Sequence, residues 1–195
     1  MNAQNSTHVE AEHTPHLSEV EKQKLLKIAR ETLAEHLMTG ATPEYTPEDP
    51  GLLQEVAAFV TLRRRDGELR GCIGRVEASQ PLYRTVQNCV ISAATNDFRF
   101  SSVTAAELRD IRIEISALSP FQPIDHPDQI QVGRHGLLIR SELRVGLLLP
   151  QVASDRGWDR NEFLRAICMK ASLPNDAWRD ADLYIFTAEV FEEEA

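Results

Sequence analysis

A chain of 195 residues with 42% hydrophobic and 26% charged residues is proportioned to bury one sizeable core; that excludes wholesale disorder and a protein of apolar membrane spans. Its formal net charge of −9 repels a phosphate backbone and tells against generic nucleic-acid binding. The first fifteen residues have no apolar signal core, no run approaches the ~18 residues of a span, and three cysteines lack C-x-x-C spacing, so a cytoplasmic protein with free thiols is expected.

Residues 1–16, with His8, His13 and His16 at irregular spacing, read as a flexible tail, and residues 17–195 as a single domain. Ser18 and Glu21 have the form of a capping box, and Val20, Leu25, Ile28, Ala29, Leu33 and Leu37 recur at helical spacing. A proline-containing loop over 39–51 ends that helix. Residues 56–65 and 68–76 read as two strands joined by a tight turn at Asp66-Gly67.

Pro81 opens a second helix lined by Leu82, Val86, Cys89, Val90 and Ala93, which makes Cys89 a core thiol. Thr104 with Glu107 predicts a short capped helix, and residues 111–118 alternate as a half-buried strand up to Pro120. Residues 137–140 and 143–149 suit a hairpin through Ser141-Glu142, and 161–171 a helix with Cys168 in its buried side. Residues 183–191 alternate as one final strand. Hairpins with helices between them favour an α+β fold on an antiparallel or mixed sheet over a doubly wound one.

Chemistry concentrates at Leu69-Arg70-Gly71-Cys72-Ile73-Gly74. Paired glycines in a strand mark a bulge or a close approach, either of a ligand or of another part of the protein. A thiol becomes a nucleophile when a cation or a helix N-terminus lowers its pKa. Arg70 shares the face of Cys72 in a regular strand, and His135, between Gly133 and Gly136, is a candidate base. Cys72 and His135 with Glu114 or Asp97 as metal ligands is the weaker alternative, and no metal or cofactor is expected. Asp97 and Glu114 are candidate cleft carboxylates whose bland readings are a turn cap and a solvent-facing strand residue. Arg63, Arg64 and Arg65 form a local basic run, and Gln151 follows the apolar stretch 146–150.

The same hexapeptide resembles the signature of the AMMECR-type domain family, called in microbes protein A of the AmmeMemoRadiSam system. Further matches follow in order: Asp97 with Arg99-Phe100, Ile113-Glu114-Ile115-Ser116, Leu118-Ser119-Pro120, Val132-Gly133-Arg134-His135-Gly136-Leu137, the run from Gly146 through Pro150 to Gln151, Trp158, Phe163-Leu164, and Cys168 with Lys170-Ala171. The match covers about residues 20–192; Phe98, Ser101-Ser102 and Ser172 depart from the family's usual prolines and glycine. The resemblance implies a larger and a smaller lobe enclosing a cleft that holds the signature. It also implies partnership with Memo-like and radical S-adenosylmethionine proteins in a modification pathway.

Two functions follow as expectations. One is a thiol-dependent enzyme or enzyme component with Cys72 and His135 as catalytic residues. The other is a binding or adaptor module for a peptide, modified protein or small anion. The substrate contacts expected are Arg70, Gly71, Gly74, Asp97, Arg99, Glu114 and Gln151.

Overall fold

The computed structural model describes residues 16–194; the tail reading of residues 1–15 lies outside them. Ser18 and Glu21 close the capping box: the Ser18 hydroxyl oxygen accepts from the Glu21 N–H at 3.3 Å, and the Glu21 carboxylate from the Ser18 N–H at 2.9 Å. Helix α1 (Glu19–Thr39) then runs until Gly40, at φ +79°, ends it in the left-handed region. It buries Leu25, Ile28, Ala29 and Leu33. One helical turn, α2 (Pro50–Leu53), interrupts the expected loop. Strand β1 (Ala58–Arg64), the turn with Gly67 at φ +88°, and β2 (Leu69–Arg75) form the predicted hairpin.

Pro81 precedes α3 (Leu82–Thr95). The Thr104–Glu107 pair caps a 3-10 helix that leads into β3 (Ile111–Leu118). A short β4 (Gln122–Ile124) precedes the hairpin of β5 (Gly136–Ser141) and β6 (Arg144–Leu148), whose turn holds Glu142 at φ +51°. Helices α4 (Pro150–Arg156) and α5 (Arg160–Lys170) follow, and β7 (Asp182–Phe186) and β8 (Ala188–Glu192) close the chain.

The strands form two four-stranded sheets, in the orders β2-β1-β3-β8 and β4-β7-β5-β6, with antiparallel pairing throughout. The fold is thus α+β. Val60, Leu62, Ile113 and Ile115 of the first sheet pack beneath α1 and α3 in one core that takes in Cys89. Leu137, Ile139 and Ile185 of the second pack with Phe163, Leu164, Ile167 and Cys168 of α5. A third cluster joins the sheets through Ala57, Phe59, Leu118 and Phe186, and Phe121 meets Phe186 edge-to-face at 5.3 Å.

The single final strand expected over 183–191 is two strands. The chain crosses from one sheet to the other at buried Thr187, where its N–H donates to Ser119 Oγ and its carbonyl accepts from the Ser119 N–H, both at 2.9 Å. Apolar alternation continues across the crossing, because both strands turn one side inward; the pattern therefore carries no mark of the change of partner.

Candidate functional site

Cys72 lies on β2, an edge strand, directly opposite Thr61 of β1. Its backbone N–H donates to Asp97 Oδ2 at 2.9 Å, away from the sheet. Thr61 and Cys72 therefore form a non-hydrogen-bonded antiparallel pair, the geometry in which facing side chains come closest. The Thr61 hydroxyl donates to Sγ at 3.4 Å. Glu114 is the next residue in the same row, opposite Thr61 on β3, with its carboxylate 3.6 Å from Arg63 Nε.

Asp97 follows α3 and is buried. Its two oxygens accept from Arg99 Nε at 2.9 Å and Nη2 at 2.7 Å, as well as from the Cys72 N–H. Arg99 holds the Asp97 carboxyl down at about 2, with the backbone donors adding to the effect against burial. The guanidinium is thereby fixed in a bidentate pair while 43% of the side chain stays exposed. For Cys72, burial dominates and pushes the thiol up; Thr61 and Arg99 pull it down, Glu114 and Asp97 push it further up. Burial likewise pushes Cys89 up to about 11.

Arg70 occupies the bulge that a shift of register makes in β2: Leu62 pairs with Gly71, but Arg63 with Leu69. The bulge sends the side chain inward, where it is 4% exposed. Nε and Nη2 donate to the two oxygens of Glu107 at 2.8 and 3.2 Å, and Nη1 and Nη2 to the carbonyls of Ser101 and Ser102. Arg70 in turn holds the Glu107 carboxyl down at about 2. The expectation that Arg70 shares the Cys72 face is corrected: the bulge turns it inward, and its guanidinium bonds to Glu107 and to the carbonyls of Ser101 and Ser102.

The two glycines have internal causes. A Cβ on Gly71 would stand 2.2 Å from the Ala93 carbonyl oxygen of α3, and one on Gly74 would stand 2.2 Å from the Phe59 ring. The room each missing side chain leaves is filled by this protein's own atoms. That decides between the two approaches the sequence left open.

His135 belongs to the other sheet. It is buried just before β5, its N–H donates to the Gln131 carbonyl at 2.9 Å, and its Nδ1 accepts from the Gln131 N–H at 3.2 Å. The structure brings Cys72, Asp97, Arg99 and Glu114 together; the groups acting on the thiol are Thr61, Arg99, Glu114 and Asp97. Gln151 is half-buried in the first turn of α4. No set of three or more His, Cys, Asp or Glu among the described residues is placed to hold a metal, so the Cys72–His135 ligand set is not assembled. Sequence reasoning missed Thr61, whose only signal was its place opposite Cys72 in the hairpin, and the second role of Glu107, hidden behind its capping pattern.

The AMMECR1 family profile matches residues 26–191. Protein MK0488 of Methanopyrus kandleri is 41% identical over 89% of both chains. A protein of Thermococcus onnurineus is 44% identical over 87% of this chain and 89% of its own. The crystal structure of the uncharacterized protein PH0010 from Pyrococcus horikoshii superposes with a TM-score of 0.83 at 39% identity, covering 88% of this chain and 90% of that one. An extended family match, sequence identity at this level and a shared fold agree: the chain belongs to the AMMECR1 family.

Proposed function

We propose that this protein is a binding module whose recognition surface is the strip of Cys72, Thr61 and Glu114 beside Arg99, and that its occupant is a small anion or an anionic segment of a peptide or modified protein. The observation that carries this reading is the Asp97 clamp. One buried carboxylate fixes both the β2 backbone at Cys72 and a half-exposed guanidinium. A preorganised cation of this kind recognises a carboxylate or phosphate without losing much side-chain freedom on binding. We infer that the strip opens into a cleft between two lobes of one domain, that the protein works in the cytoplasm, and that its occupant comes from a modification pathway shared with Memo-like and radical S-adenosylmethionine proteins.

A thiol-enzyme reading has its own support in the Thr61 hydroxyl on Sγ and the positive charge of Arg99, both of which favour thiolate. Burial acts the other way and is the larger influence on the thiol. Two measurements separate the readings. Alkylation of Cys72, read peptide by peptide against pH, follows a thiol more basic than a free cysteine if the protein is a binding module. Reaction at pH 7 faster than that of a free cysteine peptide replaces this reading with the enzyme. Calorimetry with a purified Memo-like protein and a radical S-adenosylmethionine protein as probes tests the binding itself. Arg99→Gln weakens capture about tenfold, the scale of a lost charge-assisted pair, whereas Cys72→Ala, which removes no charge, has a much smaller effect. Capture indifferent to Arg99→Gln removes the proposal.

A further inference from the structure

A cavity of about 510 Å³ lies where the end of β1 and the start of β3 meet α1, and its walls include Arg30, Arg65, Arg109 and Arg112 against Glu193 and Glu194. Four arginines lining one cavity run counter to a chain of net charge −9. They are not equivalent. Arg30 is structural: its donors go to Glu193 and to the carbonyls of Leu108 and Ile111, and Glu193 also accepts from the Ile113 N–H. The Glu193 charge is therefore neutralised inside the wall.

The other three have donors to spare. Arg65 bonds through Nε to the Arg109 carbonyl and stands 3.8 Å from Asp110, with 74% of its side chain exposed. Arg112 meets Glu192 through one nitrogen at 3.5 Å. The Arg109 guanidinium has no hydrogen-bond or ion-pair partner among the described residues.

We propose that this cavity is an anion site for a small molecule carrying two phosphate or carboxylate groups, held by Arg65, Arg109 and Arg112 against the Arg30–Glu193 wall. Three arginines with uncommitted donors line one space of small-ligand size, and paired N–H donors match phosphate and carboxylate oxygens two at a time. Asp110, Glu192 and Glu194 interrupt the arginines and leave no continuous basic track for a phosphate backbone, so the occupant is a compact anion, not a nucleic acid. The site shares no residue with the Arg99 strip and stands whether or not that reading does.

Calorimetric titration of the full chain with inorganic pyrophosphate and, separately, with citrate tests it. Saturable binding of at least one probe is expected, weakening as salt rises. Arg109→Ala should weaken it about tenfold and Arg65→Ala with Arg109→Ala further still. Both side chains are exposed, so the variants keep the fold, which the unfolding midpoint checks. Arg64→Ala, the same charge lost outside the cavity, should leave binding unchanged. Preference between the probes tells phosphate from carboxylate as the native group. Absence of saturable binding by both probes, or binding that survives the double substitution or falls equally with Arg64→Ala, overturns the assignment.

Discussion

Asparagine in place of Asp97 keeps the shape of the clamp and an oxygen for the Cys72 N–H but removes the charge that pairs with Arg99. An upper bound on that charge effect follows from the carboxyl group, which Arg99 first and the backbone N–H groups of Cys72 and Arg99 after it lower from 3.8 to about 2. At about 1.4 kcal/mol per pKa unit the shift corresponds to roughly 2.5 kcal/mol. Solvent reaches Arg99, 43% exposed, and screens the pair, so about 1–2 kcal/mol is the expected loss in Asp97→Asn at pH 7. A depressed carboxyl pKa contributes stability that is fully present above the unfolded value of 3.8 and is lost as pH falls through about 2. The gap between wild type and variant should shrink to about half by pH 3. Urea unfolding followed by the fluorescence of Trp158 and Trp178, at pH 7 and at intervals down to pH 3, reads both numbers. A gap of the same size at every pH would mean that asparagine damages packing and that the ion pair adds nothing, which refutes the electrostatic argument for a fixed Arg99.

Gly71→Ala forces a methyl group against the Ala93 carbonyl of α3, and helix and strand must separate by about 1 Å; overpacking of this kind costs about 3 kcal/mol, and a urea midpoint within error of wild type would contradict the close approach. Arg70→Leu leaves Glu107 and two carbonyls without their shared partner and is expected to cost about 3 kcal/mol. Adding Glu107→Gln to it should recover part of that loss, and a double variant no more stable than Arg70→Leu alone would show that the carboxylate was never the problem.

Much of the architecture was legible because local chemistry and long-range packing agree. The Ser18–Glu21 box, the Asp66-Gly67 turn, Pro81 and the alternation of β3 each point to the element that forms. The fold became illegible where it depends on partners distant in sequence. The switch of sheets at Thr187 is set by Ser119, 68 positions away. At the site, Cys72, Asp97, Arg99 and Glu114 were named from residue type and family resemblance, and the structure gathers them through the β1–β3 register and the end of α3. His135 carried the right chemistry for a base, but its surroundings are those of β5. Arg70 was misplaced because face-sharing assumes a regular strand, and the bulge that removes it from the Cys72 face leaves only paired glycines as a sequence signal.

The hexapeptide itself separates into parts with different causes. Arg70 serves the ion pair with Glu107, Gly71 admits α3, Ile73 joins the core beneath α1 and α3, and Gly74 lies under Phe59. None of these four positions needs a ligand to account for it. Cys72 differs, because the backbone part of its environment is explained by Asp97 while its side chain is only half-buried and turned toward Thr61, Arg99 and Glu114. A strand edge that needed only closure could be capped by a neutral side chain. Here the cap is a carboxylate whose charge is balanced by an arginine that remains half-exposed, so whatever meets this strip meets a guanidinium held in place before it arrives. That pairing of a closed edge with a presented cation ties the stability of β2 to the recognition proposed for Arg99, and it is why one substitution, Asp97→Asn, should move both.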